Sequence, residues 1–199
     1  MTVIEAPPFN PIVTNAAHGR LPEWAVVGVE RRTHVDRVAE LMGSWARALG
    51  RSDVDQERWK AAGLLHDALR EADEDELRAR VPPRLRALPA PLLHGPAAAE
   101  RLRIDGLEDG ELLRAVAWHT VGNVGFGQLG RALYAADFLE PGRPFLPEWR
   151  AGLRSRMPHE LDEVVFEIVQ ARLLYRIEMG APMLPETLEF WNRLAEERS

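Results

Sequence analysis

The chain has 199 residues, enough for one domain of ordinary size and too few for two large ones at roughly 150 residues per domain. Apolar residues make up 46% and charged residues 28%, which fits neither a disordered chain nor a membrane protein. The net charge of −6, from 31 acidic and 25 basic residues, argues against a general binder of nucleic acid or anionic membrane.

No cysteine is present, so disulfides, thiolate zinc sites, iron–sulfur clusters and cysteine nucleophiles drop out together. Any metal site has to use nitrogen and oxygen ligands. The longest stretch free of Asp, Glu, Lys and Arg, residues 115–130, is too short and too glycine-rich to span a bilayer. The N-terminus lacks a cationic start and an apolar run of signal length, and the expected compartment is the cytoplasm.

Residues 1–20 read as a flexible N-terminal arm, because Pro7, Pro8 and Pro11 interrupt it and its small residues offer no periodic apolar face. Residues 21–199 read as one domain. Val35, Val38, Met42, Trp45 and Leu49 recur at three- and four-residue steps and predict a helix that stops at Gly50. A second helix, capped by Asp55 or a neighbour, runs through Trp59, Ala62 and Leu65 to about Asp67. A short helix over 74–80 ends before Pro82 and Pro83. Residues 84–95, broken by Pro89 and Pro91, read as a broken helix or an irregular lid, and Pro96 suits the first turn of a helix through Leu102. Further helices are predicted over 108–119, 128–140, 158–179 and 185–196, with inward residues such as Leu112, Val116, Val165, Ile168 and Leu194. No segment shows the two-residue alternation and paired turn signals of strands. The fold class is therefore all-α, a single helical bundle.

The placement of histidines and aspartates carries the chemistry. His34 begins the inward stripe of its helix, His66 and Asp67 end the apolar run 61–65, and Asp137 follows Leu133-Tyr134-Ala135-Ala136. Each stands where a buried apolar residue is expected. Burying a carboxylate beside imidazoles is costly, and a divalent cation is the strongest available compensation. His94 and His119 lie inside long charge-free stretches, 87–99 and 115–130, and neutral imidazole suits borderline first-row metals. Four histidines and two aspartates can hold two metals, with Asp67 of the right type to bridge them. His18 and His159 read as ordinary hydrogen-bonded histidines. Residues 125–130 match G-x-G-x-x-G literally, but a dinucleotide fingerprint needs a preceding strand, and a helix end and turn precede this one. Its glycines and the following helix start place a turn suited to an anion near His119.

In this order, His34, His66-Asp67 and Asp137 resemble the HD superfamily of metal-dependent phosphohydrolases, which is all-helical. Segments 61–67, His94-Gly95, 119–122 and 133–143, with the ending around Thr187 and Asn192, resemble its YqeK-type branch, whose members are symmetrical diadenosine-tetraphosphate hydrolases. The likeness spans about residues 22–195. It implies His34, His66, Asp67, His94, His119 and Asp137 as ligands of a two-metal centre, iron first, with manganese, cobalt, zinc or magnesium as the other metals such ligands accept. It also implies that a symmetrical dinucleoside tetraphosphate is split at its centre by an activated water, with Asp67, His66 and Arg70 catalytic.

Arg70 and Arg143, each close in sequence to an expected ligand, are candidates to bind the polyphosphate. Thr120 is a candidate for a phosphate oxygen or for His119, and Asn192 for a base or a helix cap. Arg70 stands where the family commonly has a lysine, offering a planar fork instead of a point charge. The alternatives are another nucleotide substrate (a nucleoside monophosphate, ppGpp or a cyclic dinucleotide) or a non-catalytic, metal-containing HD signalling module. The expected partner is a nucleotide polyphosphate, with no nucleic acid and no membrane, and a homodimer is left open.

Overall fold

Capping side chains start several of the helices around which the chain is built. Ser52, Asp73 and Asp109 each accept a backbone N–H at the head of a helix, α3 (Asp53–Leu65), α4 (Glu74–Arg80) and α6 (Gly110–Trp118) respectively. These belong to a computed structural model that describes residues 10–198. The other helices are α1 (Pro11–Ala17), α2 (Val29–Ala48), α5 (His94–Ile104), α7 (Gln128–Leu139), α8 (Pro147–Arg156), α9 (Leu161–Glu178) and α10 (Pro185–Glu196). Two 3₁₀ turns, Pro83–Leu85 and Ala90–Leu92, lead into α5. No strand occurs among the described residues, in agreement with the all-α expectation, and none of their helices is long and apolar enough to cross a membrane.

The N-terminal arm differs from expectation. Residues 1–9 lie outside the described residues, but α1 follows directly. Asn10 accepts from the Ile12 N–H, Pro11 sits in the first turn, and Val13, Ala16 and Ala17 form a buried i, i+3, i+4 stripe that packs on α3. This short stripe is built largely from small residues, and the nearby prolines mask its period in the sequence. Helix α8 was not expected either. It buries Arg150 and Leu153 and has no apolar stripe, and Arg150 and Arg154 tie it to α7 by donating to the Phe138 and Leu139 carbonyls. Helix α5 begins at His94, two residues before Pro96, because the turn at Ala90–Leu92 already sets the helical path.

Helix α7 runs through the middle, touching α2, α3, α6, α8 and α9. Its Tyr134 is fully buried and meets Phe190 of α10 edge to face, centroids 5.6 Å apart. Two glycines set the helix crossings beside the functional residues. A Cβ on Gly63 of α3 would lie 2.6 Å from the Cα of Ala39 in α2, and one on Gly95 of α5 would lie 2.7 Å from the Ala117 carbonyl of α6. The backbones touch there because nothing larger than hydrogen intervenes.

Gly63→Ala therefore sets a backbone clash, costing about 1–3 kcal/mol, against a gain in helix propensity of up to about 1 kcal/mol. A net loss of stability is expected in urea unfolding. Gly152→Ala in α8, whose added methyl meets nothing within 4 Å, is expected to stabilise by about 0.5–1 kcal/mol. Equal midpoints for the two variants would contradict the close-packing argument.

Candidate metal centre

Helix ends deliver most of the histidines. His66 is the C-cap of α3, His119 the C-cap of α6, and His94 the first residue of α5. Each donates its Nδ1–H to the carbonyl three residues earlier: His66 to Gly63 at 2.7 Å, His94 to Pro91 at 2.9 Å and His119 to Val116 at 2.8 Å. Those bonds fix the tautomer and leave three bare Nε2 atoms. His34, in mid-helix on α2, instead sets its Nδ1 3.3 Å from Glu140 Oε1.

The Nε2 atoms converge on Asp67. Its Oδ1 lies 3.0 Å from His94 Nε2 and 3.3 Å from His119 Nε2, while its Oδ2 lies 3.6 Å from His66 Nε2 and 3.7 Å from His34 Nε2. Asp137, from the last turn of α7, places Oδ1 3.1 Å from His34 Nε2 and 3.9 Å from His66 Nε2. All six residues expected as metal ligands thus lie in one cluster. Its ligand atoms fall into overlapping groups of three lying within 4.8 Å of one another, among them Asp67 with His94 and His119, and Asp67 with His34 and His66. The carboxylate of Asp67 faces both sides.

The donor set fits divalent cations. His34 Nε2 and His66 Nε2 are buried without a hydrogen-bond partner, the former despite its closeness to Asp137. His94 Nε2 and His119 Nε2 face each other at 3.1 Å. Two nitrogen lone pairs at that distance repel unless a positive centre sits against both. Burial pushes the His66 pKa down to about 4 against the pull of Asp67, so this ring is neutral and ready to coordinate at neutral pH. Burial opposes ionisation of Asp67 and Asp137, yet the imidazoles around both, with Arg143 beside Asp137, hold them below the ordinary carboxylate range. Oxygen and imidazole ligands without sulfur suit first-row divalent metals.

The remaining expected residues divide. Thr120 is placed at the cluster, its hydroxyl 3.1 Å from His119 Nε2. Arg143 donates from Nε to the Asp137 carbonyl at 3.0 Å and from its terminal nitrogen to the Asp137 carboxylate. Arg70 sits on the His94 side, 3.1 Å from the Pro91 carbonyl, and its charge helps to depress the pKa of His94, which burial mainly lowers. Asn192 lies exposed on α10 and makes no hydrogen bond to the cluster, whereas Thr187 donates to the Val121 carbonyl and pins α10 to the chain after His119. His18 and His159 are exposed and stand outside the cluster, as expected.

Two residues escaped the sequence reading. Arg31 donates to Asp67 Oδ2 at 2.7 Å, and Glu140 reaches His34. Each is one helical turn from an expected ligand, Arg31 before His34 and Glu140 after Asp137, and that spacing was the available signal. The glycine-rich turn differs too. The start of α7 is already filled by the Glu111 carboxylate, which accepts the Leu129 N–H at 3.3 Å and pairs with Arg58 at 2.7 Å, so it offers no free anion site.

A cation that binds the folded cluster alone stabilises the fold by mass action, about 2.7 kcal/mol at a hundredfold excess over Kd. Manganese(II) is therefore expected to raise the melting temperature by roughly 5–10 °C, reversibly with chelator. His66→Ala is expected to reduce that shift, because it removes a ligand from one side of Asp67. Equal shifts in parent and variant would place the ion elsewhere.

The HD domain model matches residues 31–168. A protein of Halalkalibacterium halodurans named bis(5'-nucleosyl)-tetraphosphatase, symmetrical, is 26% identical over 84% of this chain and 90% of its own. Proteins of the same name from Bacillus subtilis and Staphylococcus aureus are 24% and 27% identical, over 72% and 88% of this chain and 80% and 89% of theirs. A crystal structure from Clostridium acetobutylicum, described as a predicted HD superfamily hydrolase involved in NAD metabolism, superposes with a TM-score of 0.75 at 22% identity, covering 94% of this chain and 96% of that one. With the ordered His34, His66-Asp67 and Asp137 gathered on an all-helical frame, the chain belongs to the HD-domain family.

Proposed function

We propose that the protein hydrolyses symmetrical dinucleoside tetraphosphates, converting diadenosine tetraphosphate and water into two ADP, at a centre of two divalent metals with iron as the resident ion. The observation that carries this reading is the two-sided placement of Asp67, with His94 and His119 against one oxygen and His34 and His66 against the other. The substrate follows the three bacterial proteins named symmetrical bis(5'-nucleosyl)-tetraphosphatases.

In this reading Asp67, His94 and His119 hold one ion, and Asp67, His34, His66 and Asp137 hold the other. Divalent cations held there would supply Lewis acidity toward phosphoryl oxygens and would bring the pKa of water toward neutrality. The chain supplies the positioning. Arg70 stands beside His94 and Arg143 beside Asp137, at the two sides of the cluster, and each guanidinium fork can meet phosphate oxygens with paired, charge-assisted hydrogen bonds. The Thr120 hydroxyl lies 3.1 Å from His119 Nε2, and with that nitrogen engaged by a metal it would be free to donate to a phosphate oxygen. His66, Asp67, His94 and His119 are themselves almost fully buried, which limits competition from bulk water for these groups.

Three results test the reading. Turnover of diadenosine tetraphosphate with iron(II) or manganese(II) is expected to give ADP as the sole nucleotide product, and AMP plus ATP, or no turnover in metal-loaded protein, would contradict it. Asp67→Ala is expected to lose bound metal and hydrolysis together, by at least about 100-fold, since even partners lying behind a ligand cost 10–100-fold. Arg70→Ala and Arg143→Ala remove charged hydrogen bonds worth about 1.5–3 kcal/mol and are expected to raise KM roughly ten-fold or more. Metal content, measured by elemental analysis, is expected to stay at the parent value in Arg70→Ala, whose guanidinium meets the Pro91 carbonyl and no ligand carboxylate, and to fall in Arg143→Ala, which also removes the partner of Asp137.

A further inference from the structure

We propose that Glu140 is a positioning residue of the metal centre, fixing the His34 imidazole through Nδ1 and tying that ring to the loop that carries Arg143. The inference rests on the reading of the cluster as a metal centre. Its starting point is a difference among the four histidines. His66 and His119 cap the ends of their helices, where the last carbonyls have no intrahelical partner, and His94 follows a 3₁₀ turn, so each ring finds an acceptor three residues back in its own chain. His34 is the sixth residue of a 20-residue helix. Carbonyls there are already taken by the N–H groups four residues on, and the ring has to find its acceptor elsewhere.

Glu140 meets that need from the residue that ends α7. Its Oε1 lies 3.3 Å from His34 Nδ1, and its Oε2 accepts the Gly142 N–H at 2.7 Å. The Glu140 carbonyl accepts the Arg143 N–H at 3.1 Å, and Arg37 and Arg143 approach the carboxylate at 3.6 Å and 3.8 Å. Only 3% of the residue is exposed, a costly position for a carboxylate unless its oxygens are used, and both are. A carboxylate behind an imidazole holds the ring with Nε2 pointing inward and makes that nitrogen more basic toward a cation. The neighbouring bonds to Gly142 and Arg143 place the loop from the same anchor.

Manganese(II) titration followed by electron paramagnetic resonance tests this without any turnover. Glu140→Ala is expected to bind manganese roughly 10–100-fold more weakly than the parent. Glu140→Gln, which keeps an oxygen to accept the His34 N–H but loses the charge, is expected to lose less. Because Glu140 acts through His34, the double variant of His34→Ala with Glu140→Ala is expected to bind as His34→Ala does. Parent-like affinity in Glu140→Ala, or a double variant much weaker than His34→Ala, would overturn the role. Should Glu140→Ala fail to fold, Glu140→Gln with an unchanged circular dichroism spectrum decides: a several-fold loss supports the role and unchanged affinity overturns it. A parent that takes up no manganese at all defeats the metal centre itself, an outcome distinct from equal binding by parent and variant.

Discussion

Everything in this fold answers to the convergence of electron pairs in one buried volume. Four imidazole nitrogens and two carboxylates point at one another across 3.0–3.9 Å. In a medium of low dielectric such an arrangement is unfavourable by itself, and positive charge is its only remedy. The chain provides some at the edge, with Arg31 on Asp67 and Arg143 on Asp137. Metal held in the middle would complete it, and the same charge that would stabilise the cluster is the charge a phosphoryl transfer requires. A net charge of −6 is no obstacle, because what a polyphosphate meets is local.

The helical frame exists to bring those groups to one point. Helix ends, more than helix faces, do most of the delivery, and an end can turn a ring inward while its own last carbonyls hold the other nitrogen. Two glycines let α2 meet α3 and α5 meet α6 at backbone contact, a few residues from His34, His66, His94 and His119. Between these pairs, α7 carries Asp137 at its last turn and Glu140 just beyond. The loop after it is held by Glu140 at its start and by the Arg150 N–H on the Leu146 carbonyl at its end.

Much of this was legible in the sequence for a definite reason. A charged or ionisable residue at the end of an apolar run contradicts its surroundings, and His66, Asp67 and Asp137 each stand at such a contradiction. His94 and His119 stood out by the absence of other charge nearby. The helices that pack with wide apolar stripes were readable by spacing. Helix α1 was not, because its stripe is two alanines and a valine, and α8 was not, because it is held by arginines donating to carbonyls, which leave no periodic pattern. Glu140 and Arg31 were hidden for a related reason. On a surface-rich helical chain an acid or an arginine is ordinarily solvated, and only three-dimensional placement shows that one lies behind His34 and the other against Asp67.

Anomalous scattering from a crystal grown with manganese(II) puts the central claim to its most direct test. Two peaks are expected, one shared by Asp67 with His94 and His119 and the other shared by Asp67 with His34, His66 and Asp137, with imidazole nitrogens at about 2 Å from each. No peak within the cluster, or imidazoles swung away from Asp67 toward separate partners, would contradict the account.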